Sequence, residues 1–306
     1  MKSIVTGGAG FIGSNLVDRL VQLGHKVIVL DNFSTGKKSN LHHHNKKNVK
    51  IIRIDIKKKA KLNKYFKGVN YVFHLAGLAS LVESLKYPNK YFETNVLGTL
   101  NIIDAAKKAK IKKFVYAASA SCYGIPKKFP TGENAIINTM HPYATTKWQA
   151  EVLIMQLAKL YKFPAISLRL FNAYGPRQSL TGAYKSVFGI FLSQKKAKKP
   201  LTIVGDGNQT RDFIHVTDLV NVLVKAALSK KIGDIYNVGS GKETKVNTLA
   251  KLIGGKKIYI SKRSSETNRS LADIKKIKRD LSWKPLISIR DGVKVMLKDI
   301  EDCKVA

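Results

Sequence analysis

The chain has 306 residues, 44% hydrophobic and 25% charged, which provides for a sizeable core and excludes a wholly disordered polypeptide. No apolar run approaches the ~20 residues of a membrane span, and the N-terminal MKSIVTGGAG carries no export signal. Cys122 and Cys303 are the only cysteines, too few for a disulfide framework, so the expected location is the cytoplasm. The unusual quantity is charge, since 55 Lys+Arg against 20 Asp+Glu give +35. Nucleic-acid binding is therefore a competing function, because lysines release counterions from phosphates without any motif. The lysines are spread in short runs (KKKAK at 57–61, KKAKK at 195–199) with no basic helix interleaved with aromatics, and they read as solvated faces.

In chain order, residues 2–6 predict a buried strand and 11–23 a helix with Ile12, Leu16, Leu20 and Leu23 on one face, stopped by Gly24. A strand at 26–31 follows, then a strand at 49–55, a helical stretch to Phe66 and a strand at 69–77. Next come a helix at 95–108, a strand at 113–119, a long helix at 143–161 and a strand at 165–172. Strands alternating with helices predict an α/β fold, a doubly wound parallel sheet covered on both faces. After Asn172 the rhythm loosens through AYGPRQSLTGAY and a hairpin-like stretch at 201–216. The expected organisation is a first domain at 1–172, with 212–240 packing back on it, and a smaller mixed α/β substrate-binding domain at 173–306.

Gly7-Gly8-Ala9-Gly10-Phe11-Ile12-Gly13 falls between the first strand and the first helix, where a Rossmann-type dinucleotide fold needs glycine. Gly7 makes the tight turn, Gly10 lets backbone approach a pyrophosphate, and Gly13 lets helix and strand pack closely. The phosphates would sit on the helix N-terminus, whose free N–H groups favour anions. Asp31, ending the second strand, would accept the adenosine ribose hydroxyls and repel a 2′-phosphate, which predicts NAD rather than NADP. Asp55 is placed close to the adenine.

Tyr143 and Lys147 stand four residues apart at the start of the long helix, hence on one face. A free Tyr, with pKa about 10, is a poor base at neutral pH. A fixed Lys⁺ and a cationic nicotinamide ring would favour its phenolate; a fall of about three units needs roughly 4 kcal/mol. Tyr123 and Lys127 have the same spacing, but Gly124 and Pro126 between them oppose a helix. Ser119, ending the preceding strand, can hold a substrate hydroxyl and pass its proton to Tyr143.

TGGAGFIGS, Asp31, HLAG (74–77), AASASCYG (117–124), Tyr143-x-x-x-Lys147, RLFNAYGPRQ (169–178), GDGNQTRDFIHV (205–216) and LADIKKIKRDLSWKP (271–285) together resemble the extended short-chain dehydrogenase/reductases. Within them the chain is most similar to nucleotide-sugar 4-epimerases of the NAD-dependent epimerase/dehydratase group, along essentially its whole length. The resemblance implies tightly held NAD, a UDP-sugar substrate, and a homodimer packed through the helices that start near 95 and 143. It implies Ser119, Tyr143 and Lys147 as catalytic residues. Around NAD it implies Gly7, Gly10, Phe11, Ile12, Asp31, Asn32, Ser34, Thr35, Gly36, Asp55 and Ile56, with Leu75, Ala76, Gly77, Asn95, Tyr143, Lys147 and Phe171. For the substrate it implies Ser80, Ser119, Tyr143, Asn172, Arg211 and Arg263, with Val187 and Phe188 beside the uracil. Two departures are Gly189, where the family commonly has Pro, and Ser265, where an R-x-G-[DE] Gly is usual.

The related 4,6-dehydratases resemble T-D-E-x-Y-G at the catalytic strand end, and nucleotide-sugar decarboxylases also carry Glu there. This chain has Ser119-Ala120-Ser121-Cys122-Tyr123-Gly124, without those carboxylates, so dehydration loses its general acid while epimerisation does not. Seven residues after Arg263, where the resemblance implies a position beside the sugar ring, stands Ser270. The family places a bulky Tyr there in enzymes restricted to glucose and galactose, and a small residue in those accepting N-acetyl sugars. UDP-GlcNAc/UDP-GalNAc interconversion is therefore favoured, with UDP-Glc/UDP-Gal also possible; a UDP-glucose-only or UDP-uronate 4-epimerase is the alternative. His42-His43-His44 lies in a polar stretch with no second ligand cluster at sequence spacing, so no metal is expected. Cys122 has no His near it in sequence and reads as an inert thiol.

Overall fold

The structure, a computed structural model, describes residues 1–180, 186–261 and 267–302. Six parallel strands are built from the first part of the chain: β1 (Lys2–Thr6), β2 (Lys26–Asp31), β3 (Val49–Arg53), β4 (Tyr71–His74), β5 (Lys113–Ser119) and β6 (Ala165–Leu170). Apart from the edge strand β3, their burial is almost unbroken, as strands covered on both faces require. The helices of this part are α1 (Phe11–Gln22), α2 (Leu81–Lys86), α3 (Pro88–Phe92), α4 (Gly98–Lys108) and α5 (Pro142–Tyr161).

The second lobe contributes the short strands β7 (Asn172–Tyr174), β8 (Leu201–Val204), β9 (Thr210–Arg211) and β10 (Phe213–His215), with α6 (Val187–Lys196) before β8. Helix α7 (Val216–Leu228) and β11 (Asp234–Val238) then return to the first lobe. The chain closes with β12 (Thr244–Lys245), α8 (Val246–Ile253), β13 (Lys257–Ile260), α9 (Lys275–Leu281) and α10 (Ile289–Asp302). The main sheet runs β11-β6-β5-β4-β1-β2-β3, all parallel, with the order reversing beside β1. That reversal opens the crevice in which doubly wound sheets bind ligands.

One face of the sheet is covered by α1, α7 and α9 through Leu16, Leu20, Leu219, Leu223 and Ile277, the other by α4 and α5 through Ile102, Ile103 and Ile154. The second lobe has its own core around Tyr174, Phe188, Phe191 and Leu249.

Several boundaries differ from expectation for identifiable reasons. Residues 57–66 form two 3-10 turns, Lys59–Lys61 and Asn63–Tyr65, because lysines three and four apart repel along a helix. The helix expected at 95 starts at Pro88, a residue suited to a first turn, and runs on through a π turn at Glu93–Leu97. The stretch at 201–216 is not a hairpin: β8 pairs β13, β9 pairs β12 and β10 pairs β7. Residues 272–283 also pack on the first lobe through Ala272, Ile274, Ile277, Leu281 and Trp283.

Candidate functional site

The C-terminal ends of the sheet strands and the second lobe enclose a cleft of about 1120 Å³. Its floor is the glycine-rich turn between β1 and α1. Gly7 has φ +68°, a backbone state that favours glycine, and a Cβ on Gly13 would lie 2.1 Å from the Gly7 carbonyl oxygen. The close approach of helix to strand therefore depends on hydrogen at Gly13. A Cβ on Gly36 would meet the Ala9 backbone at 2.9 Å, so Gly36 presses the loop after β2 onto the turn without lining the cleft.

Asp31 ends β2 and braces the turn, accepting Ala9 N–H at 2.9 Å and Phe33 N–H at 2.8 Å. Burial raises its pKa against those hydrogen bonds. Asp55 lines the cleft beyond it and accepts Lys57 N–H at 2.9 Å. Phe11, Ile12, Asn32, Ser34, Thr35 and Ile56 line this half with Gly7 and Gly10, and Leu75, Ala76, Gly77 and Phe171 continue toward the middle. Carboxylate, glycine turn and helix N-terminus together fit a dinucleotide with a free ribose 2′-hydroxyl.

The acid–base set stands where the two lobes face. His141 caps α5 by accepting Ala144 N–H at 3.2 Å, and Pro142 occupies the first turn, which places Tyr143 and Lys147 facing the cleft. Ser119, at the end of β5, hydrogen-bonds the Tyr143 phenol and lies 2.8 Å from the Ser121 hydroxyl. The Lys147 ammonium sits 4.2 Å from the centroid of the buried Tyr116 ring. One turn on, Glu151 pairs with Arg169 inside the protein at 2.6 Å.

Burial pushes Lys147 down to about 7, opposed by Glu151. Burial also raises Tyr143, with the Ser119 hydrogen bond acting the other way. Burial of the phenol itself thus outweighs the Ser119 hydrogen bond, so the protein's own groups do not lower it as the sequence pattern suggested. Tyr123, the residue with the competing spacing, is buried and hydrogen-bonds Asn237 at 2.7 Å. Cys122 is a free, buried thiol pushed up to about 12, which fits an inert role.

Asn172, Arg211 and Ser270 line the substrate half, Asn172 donating to the Asp212 carbonyl at 3.1 Å. Besides Gly36, four described residues named from the sequence do not line the cleft. Asn95, in the π turn, brackets Leu78 by accepting its N–H at 2.8 Å and donating to its carbonyl at 3.0 Å, and donates to Thr146 of α5 at 3.1 Å. It positions the loop rather than lining the pocket. Ser80 is buried as the N-cap of α2, accepting Glu83 N–H at 3.2 Å. Phe188 is fully buried against Tyr174, its ring 4.5 Å away, and neighbouring Val187 packs on the same core. Arg263 and Ser265 lie outside the described residues.

The cleft also contains Lys37, Arg177, Lys196 and Arg269, none singled out from the sequence. Arg177 stands within the AYGPRQ motif, which was the available signal. The triple-histidine segment has a partner after all: Asp18 of α1 meets His43 and His44.

A glycine cradle beside a Ser–Tyr–Lys set on a doubly wound sheet defines an NAD-dependent enzyme of the Rossmann class. The profile of the NAD dependent epimerase/dehydratase family matches residues 3–239, and the chain belongs to that family. It is 38% identical over 301 residues to a protein provisionally named UDP-glucose 4-epimerase from Methanocaldococcus jannaschii, covering 95% of each chain. It is 35% identical to UDP-glucuronic acid decarboxylase 4 of Arabidopsis thaliana, covering 98% of this chain and 68% of that one. Among solved structures it superposes with TM-score 0.92 on the UDP-N-acetylglucosamine 4-epimerase of Methanobrevibacter ruminantium, at 34% identity, covering 97% and 98% of the two chains. That structure holds UDP-N-acetylmuramic acid.

Proposed function

We propose that the chain interconverts the C4 epimers of a UDP-hexose, with UDP-GlcNAc/UDP-GalNAc favoured and UDP-Glc/UDP-Gal as a second activity. The observation that carries this reading is the hydrogen bond from Ser119 to Tyr143, with Lys147 one turn away and Ser121 where a dehydratase or decarboxylase carries a carboxylate. Tyr143 takes the proton of the sugar 4-hydroxyl while Ser119 holds the oxygen. Lys147, where it keeps its proton, favours the phenolate against the upward push of burial on Tyr143. When bound, NAD supplies a reversible hydride acceptor and a positive charge near the phenol. The 4-keto sugar turns over about its diphosphate link, so that C4 would regain its hydride on the opposite face while Tyr143 returns the proton to the 4-oxygen.

Asp31, Gly7, Gly10 and Gly13 would hold NAD, and Arg211 and Asn172 the diphosphate, with Arg263 as a further phosphate partner. Because the reaction returns its own hydride, NAD is expected to copurify. Ser270, half-buried in the cleft wall, supports the N-acetyl assignment, since a small side chain leaves room that a Tyr ring would fill. The relative solved with an N-acetylated UDP-sugar supports it too.

We assign the active form as a homodimer. The packed helices α2, α3 and α5 expose Leu81, Val82, Leu85, Phe92 and Val152, with Leu97 beside them in the π turn. No helix among the described residues is long and apolar enough to cross a membrane.

The test is kcat/KM on UDP-GlcNAc and UDP-Glc for wild type, Tyr143→Phe and Ser270→Tyr. Tyr143→Phe is expected to lose most turnover with NAD still bound, and Ser270→Tyr to lose N-acetyl activity selectively. Near-wild-type turnover in Tyr143→Phe overturns the reaction. Indifference of the wild type to UDP-GlcNAc, or of its N-acetyl activity to Ser270→Tyr, overturns the sugar.

A further inference from the structure

His43 and His44 follow one another in the loop after β2, yet both point at the same atom. Their Nε2 atoms lie 2.9 and 2.7 Å from Asp18 Oδ1, on the flank of α1. The two nitrogens and the carboxylate oxygen all fall within 4.8 Å of one another. Two imidazoles and a carboxylate converging in this way form a donor set suited to a divalent transition metal. We propose that Asp18, His43 and His44 bind one such ion, of the Zn²⁺ or Co²⁺ type, with water completing its coordination.

The surroundings favour this over a simple hydrogen-bonded cluster. Zinc bonds of about 2.0–2.2 Å need ligand atoms somewhat farther apart than a hydrogen bond holds them. His43 can recede, since its side chain is 45% exposed, and the Asp18 carboxylate, at 22%, would turn slightly away from His44, which at 8% is the most fixed of the three. Each imidazole would carry its proton on Nδ1 and present Nε2 to the ion. Arg177 pairs with the other carboxylate oxygen, Oδ2, leaving Oδ1 as the ligand and fixing its orientation as an outer partner does. His42 is not one of the converging ligands, its Nδ1 lying instead against the Ser39 carbonyl.

The site would also act on the cofactor half of the cleft. Arg177 donates to the Asn40 carbonyl at 3.4 Å, and Asn40 donates to the Ala9 carbonyl at 2.9 Å, inside the glycine-rich turn. A bound ion would therefore clasp α1, the loop at 37–44 and the second-lobe loop carrying Arg177 just behind that turn.

The experiment titrates chelator-stripped protein with Co²⁺, followed by its visible absorption, and with Zn²⁺ by calorimetry. One saturable equivalent with a tetrahedral Co²⁺ spectrum is expected. His43→Ala, His44→Ala and Asp18→Asn should each weaken binding by about tenfold or more, and His42→Ala should leave it unchanged. Circular dichroism confirms that each variant is folded, and the exposed position of His43 makes that variant decisive if Asp18→Asn misfolds. Absence of saturable binding in the wild type overturns the proposal. So does an equal loss in His42→Ala and His43→Ala, which would mean that the histidine run binds ions by itself.

Discussion

Glu151→Gln should destabilise the protein strongly although Glu151 does not line the cleft. Glu151 is 2% exposed and Arg169 4%. The Glu151 Oε1 accepts from Arg169 Nη2 at 2.6 Å and Nε at 3.0 Å, and Oε2 accepts from the Ser167 hydroxyl at 2.7 Å. An amide of the same shape removes the charge and turns an N–H toward donors, leaving a guanidinium buried without its counter-charge. Stranding one member of such a pair costs about 3–5 kcal/mol, a large share of the ~5–15 kcal/mol that holds a typical fold. At roughly 2–4 °C per kcal/mol for a chain of this order of size, the melting temperature should fall by about 10 °C. Urea denaturation measures the loss directly, as a lower midpoint at unchanged slope. Adding Arg169→Met should recover much of it by removing the stranded charge. A loss under about 1 kcal/mol, or no recovery in the double variant, would refute the reasoning.

Tyr116→Leu removes the aromatic face beneath the Lys147 ammonium. Lys147, already held near 7, should lose its proton at lower pH, so the fall of kcat with rising pH should move to lower pH, whereas Tyr116→Phe should keep the wild-type profile. A uniform drop in kcat without that displacement would make Tyr116 a packing residue only. Lys147→Met should be stabilising below pH 7, because burying the ammonium disfavours the folded state there; the advantage should fade as pH rises toward 10.5, where the unfolded lysine also loses its proton. Parallel urea titrations across that range measure it, and a pH-independent difference contradicts it. Gly13→Ala forces a carbon to within 2.1 Å of the Gly7 carbonyl oxygen, so the turn must open and retained NAD should be lost on purification; an unchanged NAD absorbance in that variant refutes the close-approach argument.

What was readable in the sequence was whatever the chain concentrates locally. The glycines from Gly7 to Gly13 sit between a buried strand and an amphipathic helix, and β5 runs over 113–119 as its apolar pattern indicates. Tyr143 and Lys147 share a helical face that needs no tertiary knowledge. Pairings across the fold were not readable. Asp18 meets His43 and His44 only because the loop after β2 folds back over α1. Asn95 reads as a polar helix residue, and its grip on Leu78 exists only once a π turn rotates it toward the loop. Phe188 could face a ligand or a core with the same helical periodicity, and stacking on Tyr174 decided for the core. The 57–66 stretch failed as a helix through like-charge repulsion that an apolar pattern does not register.

The position of β11 at the edge of the sheet bears on how the chain is made. Strand β6 ends at Leu170, but its outer neighbour begins only at Asp234, after the second-lobe segment between them has been synthesised. At ~5–20 residues per second, β6 spends roughly several seconds as an unpaired edge of a largely assembled parallel sheet. An edge of that kind is a template for pairing with another chain. Truncations ending between these strands should therefore aggregate, while a chain released just beyond Val238 should not by that route. The cleft's two walls are thus also linked in time: the first lobe closes its sheet only after much of the second has left the ribosome.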